Sequence, residues 1–284
     1  MFQRFWIAVF ITVLFSFGIL VYSSGADDRR VTDGMIASIG NNMVLIPAGE
    51  FLMGGFGAAD ENPTHKVYLD DYYIGKYEVS FEEYENFCRE TGRELLIVDF
   101  RFGYELPKSL IGGKKPIMNT SREDAEAYCA WLSKKTGKQY RLPTEAEWEK
   151  AARGGMDGKE YPWGNEPPDS GGTYRANFGP GINQFLWKRD GYENTAPVGS
   201  YPPNGYGLHD VAGNVWEWCQ DRYGSDYYSK SPYQNPKGPS DGLFGVIRGG
   251  CYSNSSEYLR CAQRYSIHPT THNFLIGFRI VRDP

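Results

Sequence analysis

Residues 205–219 place three oxygen-bearing side chains, Asp210, Asn214 and Glu217, between glycines and two tryptophans. The glycines let the backbone adopt positive φ angles that other residues avoid. The polar groups of a buried loop need partners inside the protein. A hard cation such as calcium is one such partner, because carboxylate and amide oxygens can converge on it as ligands. The segment alone favours a simpler alternative, a tight turn packed beneath two core tryptophans.

Cysteines and histidines are the other residue types in this chain that could carry out chemistry. The chain has five cysteines and four histidines, and it contains neither a CxxC motif nor a Cys/His spacing typical of zinc. His268 and His272 are spaced i, i+4, but they lie in a proline-containing segment, so we interpret them as solvated. An odd number of cysteines leaves at least one thiol free, and Cys219, directly after Trp218, is interpreted as a buried core thiol.

The composition predicts a loop-rich fold with an aromatic core. The 284 residues include 34 glycines and 17 prolines, and 15% of them are aromatic. The net charge of −5 and a pI near 5.5 argue against nucleic-acid binding, because proteins of that class carry a basic patch. The length allows one large domain or two small ones.

The N-terminus is typical of an export signal. Arg4 precedes an apolar run at residues 6–21, which is short for a membrane span, and small residues follow at 24–26. We therefore predict a signal peptide or N-terminal anchor at residues 1–26, a polar linker at 27–42, and a domain at 43–284 that is periplasmic or secreted. An oxidising compartment permits disulfides.

The remaining sequence predicts an α+β domain with little regular structure. Residues 43–55 and 65–73 have the pattern of strands, and residues 161–284 lack helical periodicity. Such long ordered loops usually need metal or disulfide clips, or belong to a binding or catalytic surface. Three helices are predicted from capping boxes, in which a hydroxyl and a glutamate bind backbone N–H groups reciprocally: Ser80 with Glu83, Thr120 with Glu123, and Thr144 with Glu147.

Several motifs occur in one order between residues 43 and 282. They are RLPTEAEWE at 141–149, AARGG at 151–155, YPWG at 161–164, APVGS at 196–200, PNGYGL at 203–208, GNVWEW at 213–218, RGG at 248–250 and GFR at 277–279. Together they resemble the formylglycine-generating enzyme, or sulfatase-modifying factor, family. The resemblance implies an α+β fold related to C-type lectins, rich in glycine and aromatic residues.

The resemblance also implies two calcium sites, and oxygen ligands of the kind it assigns suit calcium and no soft metal. The first site would use the Asn177 side chain, the Phe178 carbonyl, the Asp190 carboxylate and the Tyr192 carbonyl. The second would use Asp210, where the family's best-known enzyme has Asn, the Gly213 and Val215 carbonyls, and the Glu217 carboxylate.

The sequence departs from the family where copper would bind. The family's enzymes oxidise a sulfatase cysteine to formylglycine with O₂ and copper, which is held by a C-x4-C pair after Arg-Gly-Gly. Here the spacing from Cys251 to Cys261 is C-x9-C, and Asn254 occupies the place of the first copper ligand. Cys261 matches a structural cysteine whose partner position is Ala152, and the corresponding partner of Cys129 is replaced by Ile280.

Two functional hypotheses follow from this departure, which argues against the standard cysteine-to-formylglycine reaction. The first is an exported oxidoreductase or maturation factor that acts on a protein or peptide-derived substrate; copper or iron is possible, although the ligand spacing does not support it. Its candidate catalytic residues are Trp216, Cys251, Asn254, Cys261, Arg264 and His272. The second is a non-catalytic, calcium-stabilised, C-type-lectin-like binding or accessory protein that uses the loop at 251–274. A disulfide between Cys251 and Cys261 is the simplest expectation for an exported chain.

Overall fold

The computed structural model of the protein describes residues 25–99, 104–105, 110–179 and 190–284. All but the last two residues of the predicted signal or anchor at 1–26 therefore lie outside the described residues. Within those ranges, no helix combines the length and the apolar character needed to cross a membrane.

Four α-helices and twelve short strands form the described part of the chain, which confirms the α+β class. The helices are α1 Gly25–Asn41, α2 Phe81–Thr91, α3 Arg122–Thr136 and α4 Glu145–Arg153. The strands are β1 Met43–Ile46, β2 Gly49–Met53, β3 His65–Leu69, β4 Tyr72–Gly75, β5 Val98–Asp99, β6 Tyr104–Glu105, β7 Tyr140–Arg141, β8 Trp216–Arg222, β9 Gly245–Arg248, β10 Arg264–Ile267, β11 Ile276–Gly277 and β12 Val281–Arg282.

Capping boxes begin three of the helices. The boxes of Ser80 with Glu83 and of Thr144 with Glu147 are confirmed. The prediction for α3 is wrong by one residue, because Ser121 is the cap and Asp124 closes the box. A serine followed three residues later by an aspartate offers the same reciprocal bonds, and the Thr120 carbonyl instead accepts a hydrogen bond from the Trp218 indole.

Residues 27–42, for which we expect a linker, instead form most of α1. Thr32 donates its hydroxyl proton to the Asn86 side chain of α2. Ile39 is buried in the core, with Met35 and Ile36 packed beside it. The spacing of these three apolar residues places them on one helix face. The linker prediction relied on the polar average composition of the segment, and an average does not detect such a face.

Two four-stranded sheets organise the domain. One has the order β1-β4-β12-β7, and the other has the order β10-β9-β8-β11, with β11 parallel to β8 and the other pairs antiparallel. The pairs β2–β3 and β5–β6 are separate hairpins. The second sheet positions the candidate site, because β8 carries Trp216 and Glu217 and β9 leads into Cys251.

Candidate functional site

Asn214 is the hydrogen-bonding centre of the segment at 205–219, which it ties to neighbouring segments. The Asn214 side chain accepts hydrogen bonds from the Ala196 N–H at 2.9 Å and the Asn177 amide at 3.1 Å. It donates to Glu78 at 2.7 Å. The loop needs glycine at position 213, where φ is +83° and a Cβ would lie 2.0 Å from the Asn177 carbonyl oxygen.

At the second predicted calcium site, one carboxylate has an oxygen without a hydrogen-bond partner among the described residues, and the other carboxylate is already hydrogen-bonded to protein groups. Asp210 is buried; its Oδ2 accepts a hydrogen bond from the Gly199 N–H at 2.5 Å, and its Oδ1 has no partner among the described residues. Glu217 instead accepts from Arg279 Nε at 2.6 Å and from the Trp148 indole at 2.7 Å. An orphaned buried carboxylate oxygen is the feature that a bound hard cation would explain.

Glu78 is a further carboxylate at this site, and the sequence reasoning missed it. It is buried and accepts hydrogen bonds from the Asn214 amide and the Val215 N–H. Burial raises the pKa of Glu78 well above its ordinary value, and the nearby carboxylates of Asp210 and Glu217 raise it further. The available signal was a carboxylate between Tyr77 and Val79 in the segment that leads into α2.

The residues predicted for the first calcium site lie close to one another in the fold. The Asp190 carboxylate accepts hydrogen bonds from the Phe178 N–H at 2.9 Å and the Tyr192 N–H at 3.1 Å. Asn177 donates its amide to the Asn194 carbonyl at 2.9 Å, which leaves its side-chain oxygen available. The structure thus brings the predicted ligands of this site into one place.

The described residues contain no group of three or more His, Cys, Asp or Glu side chains that could hold a metal ion. The first predicted site has one carboxylate and the second has two; their other ligands are carbonyl or amide oxygens. The donor set fits calcium at the first site and fits in part at the second, where Arg279 competes for Glu217.

Cys251 is held inside a short turn by Asn254. The cysteine is fully buried, and its Sγ lies 3.1 Å from Asn254 Oδ1 and 3.3 Å from Ser253 Oγ. The same Asn254 oxygen accepts the Cys251 N–H at 3.1 Å. Burial raises the pKa of the Cys251 thiol, so the side chain is a protonated donor at neutral pH.

Cys261 lies in different surroundings, and the expected disulfide is not formed. All five cysteines lie within the described residues and have free thiols. Burial is the main cause that raises the pKa of Cys261, to about 12. Its carbonyl accepts a hydrogen bond from Arg248 at 2.6 Å. The two cysteines have different neighbours: the Cys251 thiol contacts Asn254, whereas Cys261 lies beside Arg248.

Arg264, which we predicted in the candidate pocket, instead belongs to a buried charge network. Its guanidinium pairs with Glu145 at 2.7 and 2.9 Å. Arg248 bridges Glu145 at 2.7 Å and Glu149 at 2.6 Å. The network attaches α4 to β9 and β10, so the Arg264 guanidinium has its donors engaged within the protein.

Trp216, Tyr258 and Tyr265 form what we call the aromatic surface. Trp216 is buried, with its ring centroid 6.2 Å from that of Tyr258 and 5.5 Å from that of Tyr265. Tyr265 is 49% exposed on β10, which lies at the edge of its sheet. His272, also predicted in the pocket, lies 2.9 Å from Asp124 at the start of α3, where it fastens the loop at 268–273.

Comparison with known proteins decides the family. Residues 36–284 match the model of the family described as Sulfatase-modifying factor enzyme 1-like domain. The chain belongs to this family. It is 36% identical to the formylglycine-generating enzyme of Streptomyces coelicolor, over 84% of this chain and 88% of that protein. This confirms the resemblance seen in the sequence motifs and the fold related to C-type lectins.

Other family relatives differ in length and name. The structure of PvdO from Pseudomonas aeruginosa is similar with a TM-score of 0.75 and 34% identity, covering 85% of this chain and 94% of PvdO. The serine/threonine-protein kinase pkn1 of Chlamydia pneumoniae is 38% identical over 85% of this chain, which spans only 38% of that relative's length.

Proposed function

We propose that this sulfatase-modifying-factor-like chain is a maturation factor that binds a protein or peptide-derived substrate on the aromatic surface. The observation that carries the proposal is the pairing of an exposed tyrosine, Tyr265, with a tryptophan beneath it at the sheet edge. Aromatic side chains give a large contact area at a low cost in conformational entropy. Family membership supports a maturation role.

The standard copper-dependent reaction is not part of the proposal. Two thiolates are a suitable ligand set for Cu(I). In this chain Cys251 donates to the Asn254 amide oxygen, and Cys261 lies next to the buried network of α4. The residues present therefore do not fit the family's copper centre, and we derive no step through it.

Calcium and export complete the proposal. Calcium at the two predicted sites would brace the loops at 177–192 and 210–217, and it would balance the buried carboxylates of Asp210 and Glu78. The apolar run at 6–21 supports export of the domain to the periplasm or outside the cell.

The alternative is a calcium-stabilised binding or accessory protein that uses the same surface without changing its ligand. The polar run of the loop supports it, because Ser253, Ser255 and Ser256 are all partly exposed beside the aromatic surface. Short hydroxyl side chains give adaptable hydrogen bonding in binding surfaces.

A displayed peptide library, selected on the purified protein, tests both functions. We expect enriched peptides to bind the wild type and to lose at least tenfold in affinity with Tyr265→Ala, in line with hot-spot aromatics. Tyr233→Ala is the matched control, since Tyr233 is a 53% exposed tyrosine that contacts Tyr68. Equal loss in both variants, or none in either, would exclude the aromatic surface.

Mass spectrometry of the bound peptides after aerobic incubation separates the two functions. A covalent change in the peptide supports the maturation factor, and unchanged peptide that remains bound supports the accessory protein. Copper-dependent conversion of a peptide cysteine to formylglycine, abolished by Cys251→Ser, would overturn the exclusion of the standard reaction.

A further inference from the structure

A cavity of about 330 Å³ lies on the other side of the loop at 205–219, and the proposed function does not use it. Two segments, 162–175 and 202–212, line it. Its volume is within the range of small-molecule sites, at the lower end. None of the candidate catalytic residues lines this cavity.

The cavity walls are mostly apolar and held in place by the protein. Trp163 stacks on Tyr161, with centroids 5.2 Å apart and planes at 6°, and its indole N–H donates to the Glu166 carbonyl at 2.8 Å. Asn204 anchors the opposite wall by donating to the Ala151 and Ala152 carbonyls at 2.7 and 3.0 Å. The shape is therefore pre-formed, which lowers the cost of ordering on binding. Other apolar residues that line it are Pro162, Pro202, Pro203, Leu208 and Val211.

Arg175 is the cationic residue among the described residues that line this cavity, and none of them pairs with its guanidinium. Its backbone N–H donates to the Pro168 carbonyl at 2.9 Å. No residue in the described part of the chain forms a hydrogen bond or ion pair with its side chain, whereas Arg153, Arg248 and Arg264 each pair with a buried glutamate. A guanidinium at a partly buried apolar site is suited to a bidentate carboxylate.

Among the described residues that line the cavity, Asp210 is the acidic one. Its Oδ2 accepts a hydrogen bond from the Gly199 N–H, and its Oδ1, which has no partner in the described part of the chain, is the oxygen that calcium would neutralise if the second predicted site is filled. Within the described residues, the cavity therefore combines an apolar wall with the unpaired guanidinium of Arg175. We propose that it binds a small aromatic monocarboxylate, with the ring against Trp163 and the carboxylate on Arg175.

The test is binding of phenylacetate to the full chain in calcium-containing buffer, followed by two-dimensional NMR and calorimetry. We expect saturable shifts at residues 162–175 and 202–212. Phenylacetamide lacks the charge, so its Kd should be at least about tenfold higher than that of phenylacetate. This is the factor expected when a charge-assisted hydrogen bond is lost. Acetate, which lacks the ring, should give no saturable shift.

Arg175→Gln should weaken phenylacetate binding about tenfold or more, to the level of the amide, while the thermal unfolding of the variant stays unchanged. Arg175→Lys should recover part of the affinity, because it restores the charge but not the planar fork. Arg222→Gln is the matched control, since Arg222 is exposed and donates to the Gly242 carbonyl.

Equal affinity for phenylacetate and phenylacetamide would overturn the proposal, and so would phenylacetate binding that Arg175→Gln leaves unchanged. Shifts confined to another surface would do the same. Tyr265→Ala should leave phenylacetate binding intact, so failure of this inference and failure of the proposed function are distinguishable.

Discussion

Asn254 stands where the resemblance to the family places the first copper-binding cysteine, and in this chain it forms a hydrogen-bonded turn with Cys251. Its side-chain oxygen accepts from both the N–H and the Sγ of Cys251, and this arrangement favours the protonated thiol. Cys261 is likewise buried and protonated, beside Arg248. At the scale of single residues, these contacts support the proposal that the thiols of Cys251 and Cys261 do not form the family's copper pair.

The buried thiol of Cys261 makes stability fall at alkaline pH. Its pKa is raised from 9.0 to about 12 on folding, so the unfolded chain loses this proton first and folding is penalised as pH rises above 9. Because the folded pKa is so high, this thiol lowers the free energy of unfolding by about 1.4 kcal/mol at about pH 10. Cys261→Ala should therefore reduce the fall in unfolding free energy between about pH 8 and pH 10 by that amount, measured by urea unfolding in reductant.

Leu259→Val serves as the control for the Cys261 experiment. Leu259 is buried two residues away and carries no titratable group, so its shortening should lower stability equally at both pH values. An identical pH dependence in wild type and Cys261→Ala would show that the thiol is not protected in the folded state.

At the scale of elements, α4 is joined to the second sheet by buried charges. Glu145 and Glu149 project from α4 and pair with Arg248 of β9, and Glu145 also pairs with Arg264 of β10. The arginines hold the pKa values of both glutamates below their ordinary value despite complete burial. Such a network aligns helix and sheet, because each charge needs its partner in place.

Arg264→Met should destabilise the fold by about 3–5 kcal/mol, because it leaves Glu145 with less compensation in the interior. Chemical denaturation measures this loss. Arg222→Met, at an exposed arginine on β8, should change stability by less than about 0.5 kcal/mol. If Arg264→Met changed stability only slightly but abolished peptide binding, Arg264 would instead be a residue of the binding surface.

Local signals in the sequence predicted much of the fold, whereas long-range partners stayed hidden. The boxes at Ser80 and Thr144 are complete within four residues, so they can be read directly. Helix α3 begins one residue later than predicted, because Ser121 and Asp124 form the capping box in place of Thr120 and Glu123. The partner of Arg264 is Glu145, 119 positions away, and no local pattern reports such a pairing.

The order of motifs predicts the residues of the two proposed calcium loops, and those loops stay a prediction, whereas no motif pointed to Glu78. Glu78 lies 136 positions before Asn214, so no local pattern around Asn214 could indicate this contact. The aromatic surface likewise joins β8 to β10 across the sheet. Site geometry that depends on sheet order is beyond what residue spacing alone predicts.

At the scale of the whole molecule, calcium should link the two loops to global stability. A ligand that binds only the folded state stabilises it by about 2.7 kcal/mol at one hundred times its Kd. We expect chelation to lower the unfolding temperature, and calcium to restore it with two equivalents bound by calorimetry. Asp190→Asn should remove one equivalent, since Asp190 is the only carboxylate assigned to the first site.

Asp226→Asn provides the control for calcium, because Asp226 is an exposed carboxylate paired only with Lys230 on the surface. It should keep both equivalents and the full shift on chelation. Asp210→Asn should retain binding at both sites with reduced affinity at the second, because Glu217 still supplies a carboxylate there, whereas Asp190→Asn leaves the first site with none. If wild type binds no calcium and chelation leaves its unfolding temperature unchanged, the loops fold without a cation, and the Gly199 N–H and the nearby Arg279 are the groups left to favour the Asp210 carboxylate.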